Sequence, residues 1–342
     1  MFSKYTLDTS SKKFICPNCG KKTFVKYNEV ATGNYLADTL GRCDREVKCG
    51  YFNKPSGGGK KVNYIANYLN DKVYLDYNKY LQVASSASAA DISKSYLFKW
   101  LYEAGSNYCL NRSLVQPNQY ASIKGNLINT YGRYKVGVSS WFAGENNYYT
   151  YFPLIDTKNR LHYVQAKRFD QHGKTISGAT KSWAQMYNAV PPHYDTQTYK
   201  IGALFGEHLI KRANPKDTAI VVVEAPKTAL LLHYIYSLSP EKHTTPKASK
   251  LIFISCMSLG LFQRRLLRAI KPFNIVAIPD FDINSIALSK WYQIEGKLNQ
   301  KGYKIDVLPL KGFKEHDNWD IADFIAYRAN FNLEKFLWRG SE

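Results

Sequence analysis

The sequence contains no long apolar run and has fewer acidic than basic residues. No stretch approaches the ~20 apolar residues that a membrane helix needs. The opening segment MFSKYTLDTSSKKF lacks the apolar centre of a secretory signal peptide. These two absences predict a cytoplasmic protein and exclude a membrane-spanning one. The 47 Lys and Arg outnumber the 27 Asp and Glu, which gives a formal net charge of +20 and indicates a polyanionic partner.

The length and the aromatic content narrow the choice of partner. A chain of 342 residues that is 45% hydrophobic can bury two or three domain cores, so a disordered chain is excluded. Excess Lys and Arg favours nucleic acid through counterion release, although an anionic membrane surface attracts the same charge. The 27 tyrosines favour nucleic acid, because aromatic rings stack on bases.

Cysteine is sparse, and four of the six cysteines lie within the first fifty residues. Cys16 and Cys19 form a Cys-x2-Cys pair, and Cys43 and Cys49 follow after 23 residues. Disulfides do not persist in a reducing cytosol, whereas two such pairs can surround one ion tetrahedrally. We therefore predict a structural zinc ribbon. An iron–sulfur cluster or four unrelated buried thiols are the alternatives. The hairpin strands of the predicted ribbon are residues 23–27 and 35–36.

A Gly-rich basic segment, residues 55–61, follows the ribbon and predicts a flexible linker at a domain boundary. It lacks the Ser or Thr after Lys, and the preceding strand, that a Walker phosphate loop requires. A built-in ATP-driven helicase is therefore excluded.

The centre of the chain changes from helical to strand-like patterning. Residues 63–130 predict helices with a buried aromatic face, and residues 134–138, 149–155 and 161–169 predict strands joined by turns. Lys167 and Arg168 close the last of these strands, either on a solvated edge or in contact with a triphosphate or template. The helical apolar spacing is carried by Tyr64, Ile65, Tyr68, Leu69, Tyr96, Leu97, Trp100 and Leu101.

Strands and helices alternate regularly between residues 218 and 328. Such alternation predicts a parallel sheet covered by helices, with ligands bound beyond the carboxyl ends of the strands. The predicted strands are 218–223, 250–256, 274–278 and 303–308; the predicted helices are 227–237, 261–270, 285–300 and 321–328.

Three acidic residues lie just after the ends of two of these strands. Glu224 comes after the first strand, and Asp280 and Asp282 come after the third. Carboxylates that share the edge of a sheet repel one another unless a cation neutralises them, so the pattern predicts a Mg²⁺ site. Each acid alone is also typical of a helix cap.

The acidic motifs resemble the toprim domain of bacterial and phage DNA primases, and a Cys-rich zinc module also precedes the core in those proteins. The likeness covers residues 12–56 and 131–328 and is closest to short primase-like proteins of bacterial mobile elements. Replicative primases have Gly-Tyr-Met-Asp after the glutamate, where this chain has Ala-Pro-Lys-Thr. The motifs are Val-Val-Val-Glu224-Ala-Pro-Lys227-Thr-Ala, Asp280-Phe-Asp282, Asp320-Ile-Ala-Asp323-Phe and, upstream, Tyr134-Lys-Val-Gly137, Phe152-Pro-Leu-Ile-Asp156, Lys167-Arg168 and Leu204-Phe-Gly206.

The resemblance implies metal-dependent synthesis of short RNA primers from ribonucleotides on single-stranded DNA. It further implies that Asp280 and Asp282 hold Mg²⁺ or Mn²⁺ and that Glu224 completes or supports the site. Lys167 and Arg168 would contact nucleotide phosphates. Lys227 would add positive charge at a helix N-terminus, or would be an ordinary solvated helix residue.

The resemblance also implies a domain order and leaves two other functions open. The same acids serve toprim nucleases and topoisomerases, and a toprim fold without catalysis would leave a protein that only binds single-stranded DNA. A separate replicative helicase is a further candidate partner. The predicted domains are the zinc ribbon (1–56), linker and helical connector (57–130), β-rich half of the primase-like core (131–217), toprim domain (218–330) and a short tail (331–342).

Overall fold

The computed structural model of the chain forms two compact units, Met1–Asp71 and Lys72–Glu342. Most of the predicted linker and the apolar positions 64, 65, 68 and 69 lie outside the described residues. Within the described part of the chain, no helix has both the length and the apolarity needed to cross a bilayer. The structure describes residues 4–45, 49, 51–55, 74–85, 87–114, 120–139, 148–191, 202–238, 250–310, 319–328 and 331–338.

The first unit is a small antiparallel sheet in which a long central strand, β3 (Lys22–Glu29), pairs with three others. The predicted strand at 23–27 lies inside β3. The predicted strand at 35–36 is wrong, because Tyr35 forms only an isolated bridge with Asn28 and the hairpin partner lies further along the chain. The other strands are β1 (Tyr5–Leu7), β2 (Phe14–Ile15), β4 (Gly41–Cys43) and β5 (Phe52–Asn53).

Glycine is required where β4 approaches β3. A Cβ on Gly41 would overlap the carbonyl oxygen of Val25 and would lie 2.5 Å from Phe24 Cζ. The core beneath these strands consists mainly of Phe24 and two buried cysteines, Cys16 and Cys43. A core this small contributes little hydrophobic stabilisation, so the unit needs another source of folding energy.

The second unit contains two four-stranded sheets and the helices that cover them. One sheet has the order β6-β7-β8-β9 and is antiparallel; the other has the order β11-β10-β12-β13 and is parallel throughout. The strands are β6 (Gly137–Ser139), β7 (Tyr149–Ile155), β8 (Leu161–Lys167), β9 (Lys181–Ser182), β10 (Thr218–Val223), β11 (Lys250–Ser255), β12 (Asn274–Ile278) and β13 (Lys304–Val307). The helices are α1 (Tyr77–Ser85), α2 (Ala89–Lys94), α3 (Tyr96–Asn111), α4 (Tyr120–Tyr134), α5 (Trp183–Met186), α6 (Pro226–Leu238), α7 (Ile286–Asn299), α8 (Ile321–Tyr327) and α9 (Leu333–Trp338).

The parallel sheet confirms the alternation predicted from the sequence. All six residues of β10 are buried, as expected for a central parallel strand rich in Val and Ile. The predicted strands of this sheet, and the helices that became α6, α7 and α8, agree with the structure to within one residue at each end. The acids after β10 and β12 therefore lie at the carboxyl edge of one sheet.

The predicted helix at 261–270 is wrong. This segment forms two short 3₁₀ turns, Leu259–Leu261 and Leu267–Ile270, on either side of irregular chain. Phe262 is fully buried and stacks on Trp291 with ring centroids 4.0 Å apart. The apolar residues are buried as a helical pattern requires, but contacts distant in sequence determine the local backbone.

In the β-rich segment, one end of each of two predicted strands differs from the structure. Tyr134 ends α4 rather than beginning a strand, and its hydroxyl donates to the carbonyl oxygen of Phe253 at 2.6 Å. Strand β8 ends at Lys167, and Phe169 forms an isolated bridge with Thr175 instead of extending the strand. The predicted strand 149–155 coincides with β7.

Helices α3 and α4 are part of the main core. Phe98, Trp100 and Tyr131 are buried in the same hydrophobic cluster as the residues of β10 and α6. Residues 226–235 of α6 are all buried, because α3 and α4 cover the side of the helix that faces away from the sheet. The segment predicted as a connector therefore encloses the helix that follows Glu224.

Candidate active site

Two of the three predicted acids are neighbours at the edge of the parallel sheet. Val223, the last residue of β10, is in register with Ile278 of β12, so the chain leaves both strands side by side. Glu224 Oε1 accepts a hydrogen bond from the backbone N–H of Asp280 at 3.3 Å. The structure thus brings together Glu224 and Asp280, which are 56 positions apart in the sequence.

Both carboxyl groups lie in an environment that disfavours negative charge. Burial raises the pKa of Glu224 to about 7, and the negative charges of Asp282 and Asp320 act in the same direction. Burial, followed by the charges of Asp320 and Glu224, also holds the pKa of Asp280 well above its usual range. Such perturbed carboxyl groups at a strand edge are typical of sites that bind a cation or transfer protons.

Asp282 is oriented by the helix that follows it. Its two carboxylate oxygens accept hydrogen bonds from the backbone N–H groups of Ile286 and Ala287, each at 2.8 Å, at the start of α7. Its charge acts to raise the pKa of Glu224, after the larger effect of burial. Asp282 therefore has the helix-capping role considered from the sequence and acts on Glu224 electrostatically.

A second acidic pair completes the site, and the sequence prediction did not assign it. Asp320 and Asp323 cap α8 reciprocally: Asp320 Oδ1 accepts the backbone N–H of Asp323, and Asp323 Oδ2 accepts that of Asp320, each at 3.0 Å. The backbone N–H of Phe281 donates to the carbonyl oxygen of Trp319 at 2.7 Å, which joins this pair to the loop carrying Asp280. An acid three residues before another acid and an apolar run is a capping signature visible in the sequence.

Three lysines supply positive charge around the acids. Lys227 Nζ lies 2.9 Å from Asp320 Oδ2, and Lys174 Nζ donates to Asp323 Oδ2 at 2.8 Å. Burial lowers the pKa of Lys167, and the nearby charges of Lys227 and Asp280 act on it in opposite directions. No sequence pattern predicted a role for Lys174, because its partner Asp323 lies 149 positions further along the chain.

Lys227, Lys167 and Arg168, the three cations predicted from the sequence, differ in their burial and in their contacts. Lys227 is only 8% exposed, so the alternative of a solvated helix residue is wrong. Arg168 lies beside Lys167 in the chain, but its guanidinium group lies over the ring of Tyr149, 5.5 Å from the centroid. The two side chains therefore have different surroundings, and it is Lys167 whose pKa responds to the charge of Asp280.

The four cysteines of the first unit form a metal-binding cluster. Among the residues that the structure describes, Cys16, Cys19, Cys43 and Cys49 are the only His, Cys, Asp or Glu set whose ligand atoms all lie within 4.8 Å of one another. The Sγ atoms of Cys16 and Cys49 are 3.7 Å apart, and those of Cys19 and Cys43 are 4.0 Å apart. Tetrahedral zinc–thiolate bonds of ~2.3 Å place sulfurs ~3.8 Å apart, so the cluster fits zinc.

The acidic site is not a preformed metal cage. The carboxylate oxygens of Glu224, Asp280 and Asp282 do not all lie within 4.8 Å of one another, as the four cysteine sulfurs do. Carboxylate oxygens are nevertheless the donors that Mg²⁺ prefers, and Mg²⁺ is commonly held by one or two carboxylates together with substrate phosphates. The pKa values of Glu224 and Asp280 are raised because burial and neighbouring carboxylates disfavour their ionised forms, and a bound cation would stabilise those forms. The residues present therefore fit a divalent ion that is completed by its substrate.

Two family matches cover separate parts of the chain. Residues 3–64 match a zinc beta-ribbon finger family (Zn_ribbon_16), and residues 118–281 match a domain of unknown function (DUF6371). No curated protein matches the chain. The ribbon match agrees with the four-cysteine cluster and supports structural zinc.

The structural neighbours of the chain are phage and bacterial DNA primase domains. The primase fragment of the bacteriophage T7 primase-helicase has a TM-score of 0.40 at 14% identity, over 61% of this chain and 70% of the other. The DnaG catalytic core has a TM-score of 0.33 at 15% identity, over 65% and 73%. A DNA primase domain from Pseudomonas aeruginosa has a TM-score of 0.32 at 11% identity, over 66% and 73%.

Proposed function

We propose that this chain is a DNA primase with a toprim-type catalytic domain, which makes short RNA primers on single-stranded DNA in the cytoplasm. The observation that carries the proposal is the convergence of Glu224 and Asp280 at the carboxyl edge of adjacent parallel strands, where the charge of Asp282 also acts on Glu224. The sequence resemblance of these motifs to toprim primases, and the zinc ribbon before them, support the same function.

In this proposal Asp280 and Glu224 would hold Mg²⁺ or Mn²⁺. Asp282, which the resemblance implied as a ligand, would support them, because both of its carboxylate oxygens accept N–H groups of α7. The ion would supply charge neutralisation at the phosphates and at the attacking hydroxyl. The chain itself contributes positioning: phosphoryl transfer needs little covalent help from the protein, and fixed charges act most strongly where water is excluded. Lys167 supplies a positive charge near Asp280, where the triphosphate would lie.

The zinc ribbon is proposed to bind the DNA template. Lys26 Nζ lies 4.1 Å from the ring centroid of Phe14, and Lys12 Nζ lies 5.3 Å from the rings of Phe14 and Tyr35. Ile15 and Phe52 are 70% and 45% exposed on the same unit. Exposed rings combined with lysines are typical of surfaces that bind single-stranded nucleic acid by stacking and phosphate contacts.

A primer-synthesis assay tests the proposal. The full chain is incubated with single-stranded DNA, labelled ribonucleotides and Mg²⁺ or Mn²⁺, beside Asp280→Asn, which keeps the shape of the side chain and removes its charge. Asp217→Asn is the matched control, since Asp217 pairs with Lys250 at 3.0 Å at the opposite end of the same sheet. We expect labelled oligonucleotides from the wild type and the control, and at least a hundredfold less from Asp280→Asn.

The remaining outcomes separate the alternatives. A template shortened by the wild type but not by Asp280→Asn would identify a nuclease. A template that is bound, retarded in a gel and left unchanged under all metal conditions would identify a binding protein without catalysis. Equal product from the wild type and Asp280→Asn would refute the assigned site.

A further inference from the structure

The first turn of α6 carries a lysine whose ammonium group is enclosed among carboxylates. Lys227 Nζ lies 2.9 Å from Asp320 Oδ2, 3.8 Å from Asp323 Oδ1 and 4.7 Å from the ring centroid of Trp100. Burial acts to lower the pKa of Lys227, but Asp320 and Asp323 outweigh burial and hold the pKa above its ordinary value. The ammonium group is therefore charged and has almost no contact with water.

The capping pair is neutralised by the protein itself. Two anions, Asp320 and Asp323, are matched by two cations, Lys227 and Lys174. The hydroxyl of Thr228 donates to Asp320 Oδ2 at 2.7 Å and adds a further hydrogen bond. A divalent ion at this pair would have to displace a buried ammonium group.

The acids after β10 and β12 are in the opposite situation. Within the described residues, neither Glu224 nor Asp280 has a basic side chain within 4.0 Å. The acidic site is thus divided into a half whose carboxylates form ion pairs with lysines and a half whose carboxylates feel only the more distant charges of Lys167 and Lys227.

We propose that Lys227 is a positioning residue that acts as a built-in cation for Asp320 and Asp323, so that the site binds one divalent ion, at Glu224 and Asp280. The ion at Glu224 and Asp280 rests on the proposed function, whereas the role of Lys227 does not. A covalently attached ammonium group is present at every metal concentration. It therefore keeps the Asp320 turn in place, and this turn holds the loop carrying Asp280 through the Phe281–Trp319 hydrogen bond.

The substitution Lys227→Met tests the inference, because Met fills a similar volume and removes the charge. Binding of Mn²⁺ to the zinc-loaded full chain is counted by electron paramagnetic resonance in resin-treated, divalent-free buffer. We expect Lys227→Met to bind one more Mn²⁺ than the wild type, and Lys227→Arg to bind the wild-type number. Lys250→Met, which breaks the exposed pair with Asp217, is the matched control and should change nothing.

Thermal unfolding supplies a second readout that does not depend on activity. Tryptophan fluorescence reports on the second unit alone, since no tryptophan lies before residue 100. Without Mn²⁺, Lys227→Met should have a Tm lower by on the order of 10 °C, because it leaves two buried carboxylates short of a cation. Added Mn²⁺ should recover much of that loss, while the wild type should gain clearly less.

The double substitution Lys227→Met with Asp320→Asn decides the case if Lys227→Met fails to fold. Recovery of folding in the double variant, with no added Mn²⁺ site, would show that the lost cation was the cause. Failure of the double variant as well would overturn the inference, as would an unchanged Mn²⁺ count in a folded Lys227→Met. Should the wild type make no primers, the proposed function falls, but the difference in ion count still tests Lys227.

Discussion

The contact between Gly173 and Trp100 gives a sharp test of how the site is held together. Gly173 ends the turn that directly precedes Lys174 and has φ +69°, a left-handed conformation that favours glycine. A Cβ at this position would lie 2.7 Å from Trp100 Cε2, 2.8 Å from Cε3 and closer still to Cδ2. Trp100 cannot easily retreat, because Lys227 lies against its ring and its indole N–H donates to the hydroxyl of Tyr327 at 3.3 Å.

We expect Gly173→Ala to lower the free energy of unfolding by roughly 2–5 kcal/mol. About 1–2 kcal/mol of this loss comes from the left-handed backbone, and about 1–3 kcal/mol from overpacking against a buried ring. The measurement is urea denaturation of the full chain followed by tryptophan fluorescence, with midpoint and slope fitted together.

Gly178→Ala is the matched control for the backbone contribution. Gly178 has φ +70°, and an added Cβ there would meet nothing within 4 Å, so only the conformational cost of about 1–2 kcal/mol remains. In a Trp100→Leu background, the cost of Gly173→Ala should fall to that of Gly178→Ala. Equal losses for the two glycine substitutions in the wild-type background would refute the reasoning.

Three further predictions concern the ribbon, a buried glutamate and DNA binding. Cys43→Ser should lower the zinc content from about one ion per chain to near zero by mass spectrometry, while Cys109→Ser, a buried thiol outside the cluster, should keep it. Burial, reinforced by Asp156, raises the pKa of Glu207 from 4.5 to about 7, so the native chain keeps a proton that the unfolded chain releases near pH 4.5. Between pH 4.5 and pH 7, the free energy of unfolding of the wild type should therefore fall by roughly 3 kcal/mol relative to that of Glu207→Gln, as measured by urea titration at each pH. The same difference between wild type and variant at both pH values would contradict this. The affinity for single-stranded DNA should fall at least about tenfold between 50 and 200 mM salt in anisotropy titrations; a flat response would exclude phosphate contacts as the main source of affinity.

Local patterns were sufficient to predict the scaffold of the site. Buried Val and Ile runs separated by helical periodicity predicted the parallel sheet, and its geometry then required that Glu224 and Asp280 meet. The same patterns failed at 261–270, where a helix was predicted and two short 3₁₀ turns are found. Helical periodicity indicates which residues are buried, but it does not determine the backbone, because several backbone conformations can bury the same residues.

The electrostatic partners of the site could not be predicted in the same way. A lysine on a helix is ordinarily solvated, and Lys227 is buried because Asp320 and Asp323, more than ninety positions later, surround its ammonium group. The Asp-x-x-Asp capping signature was present in the sequence, but the lysines that neutralise it were not apparent from it. Charge pairing across such separations depends on tertiary structure that periodicity and propensity do not encode.

The burial of α6 limits how this part of the domain can open. Residues 226–235 are packed between the parallel sheet and helices α3 and α4, so an opening that exposes them must also separate those neighbours. In the proposed primase, Lys227 and Thr228 on this helix would therefore keep the same geometry whichever nucleotide is bound.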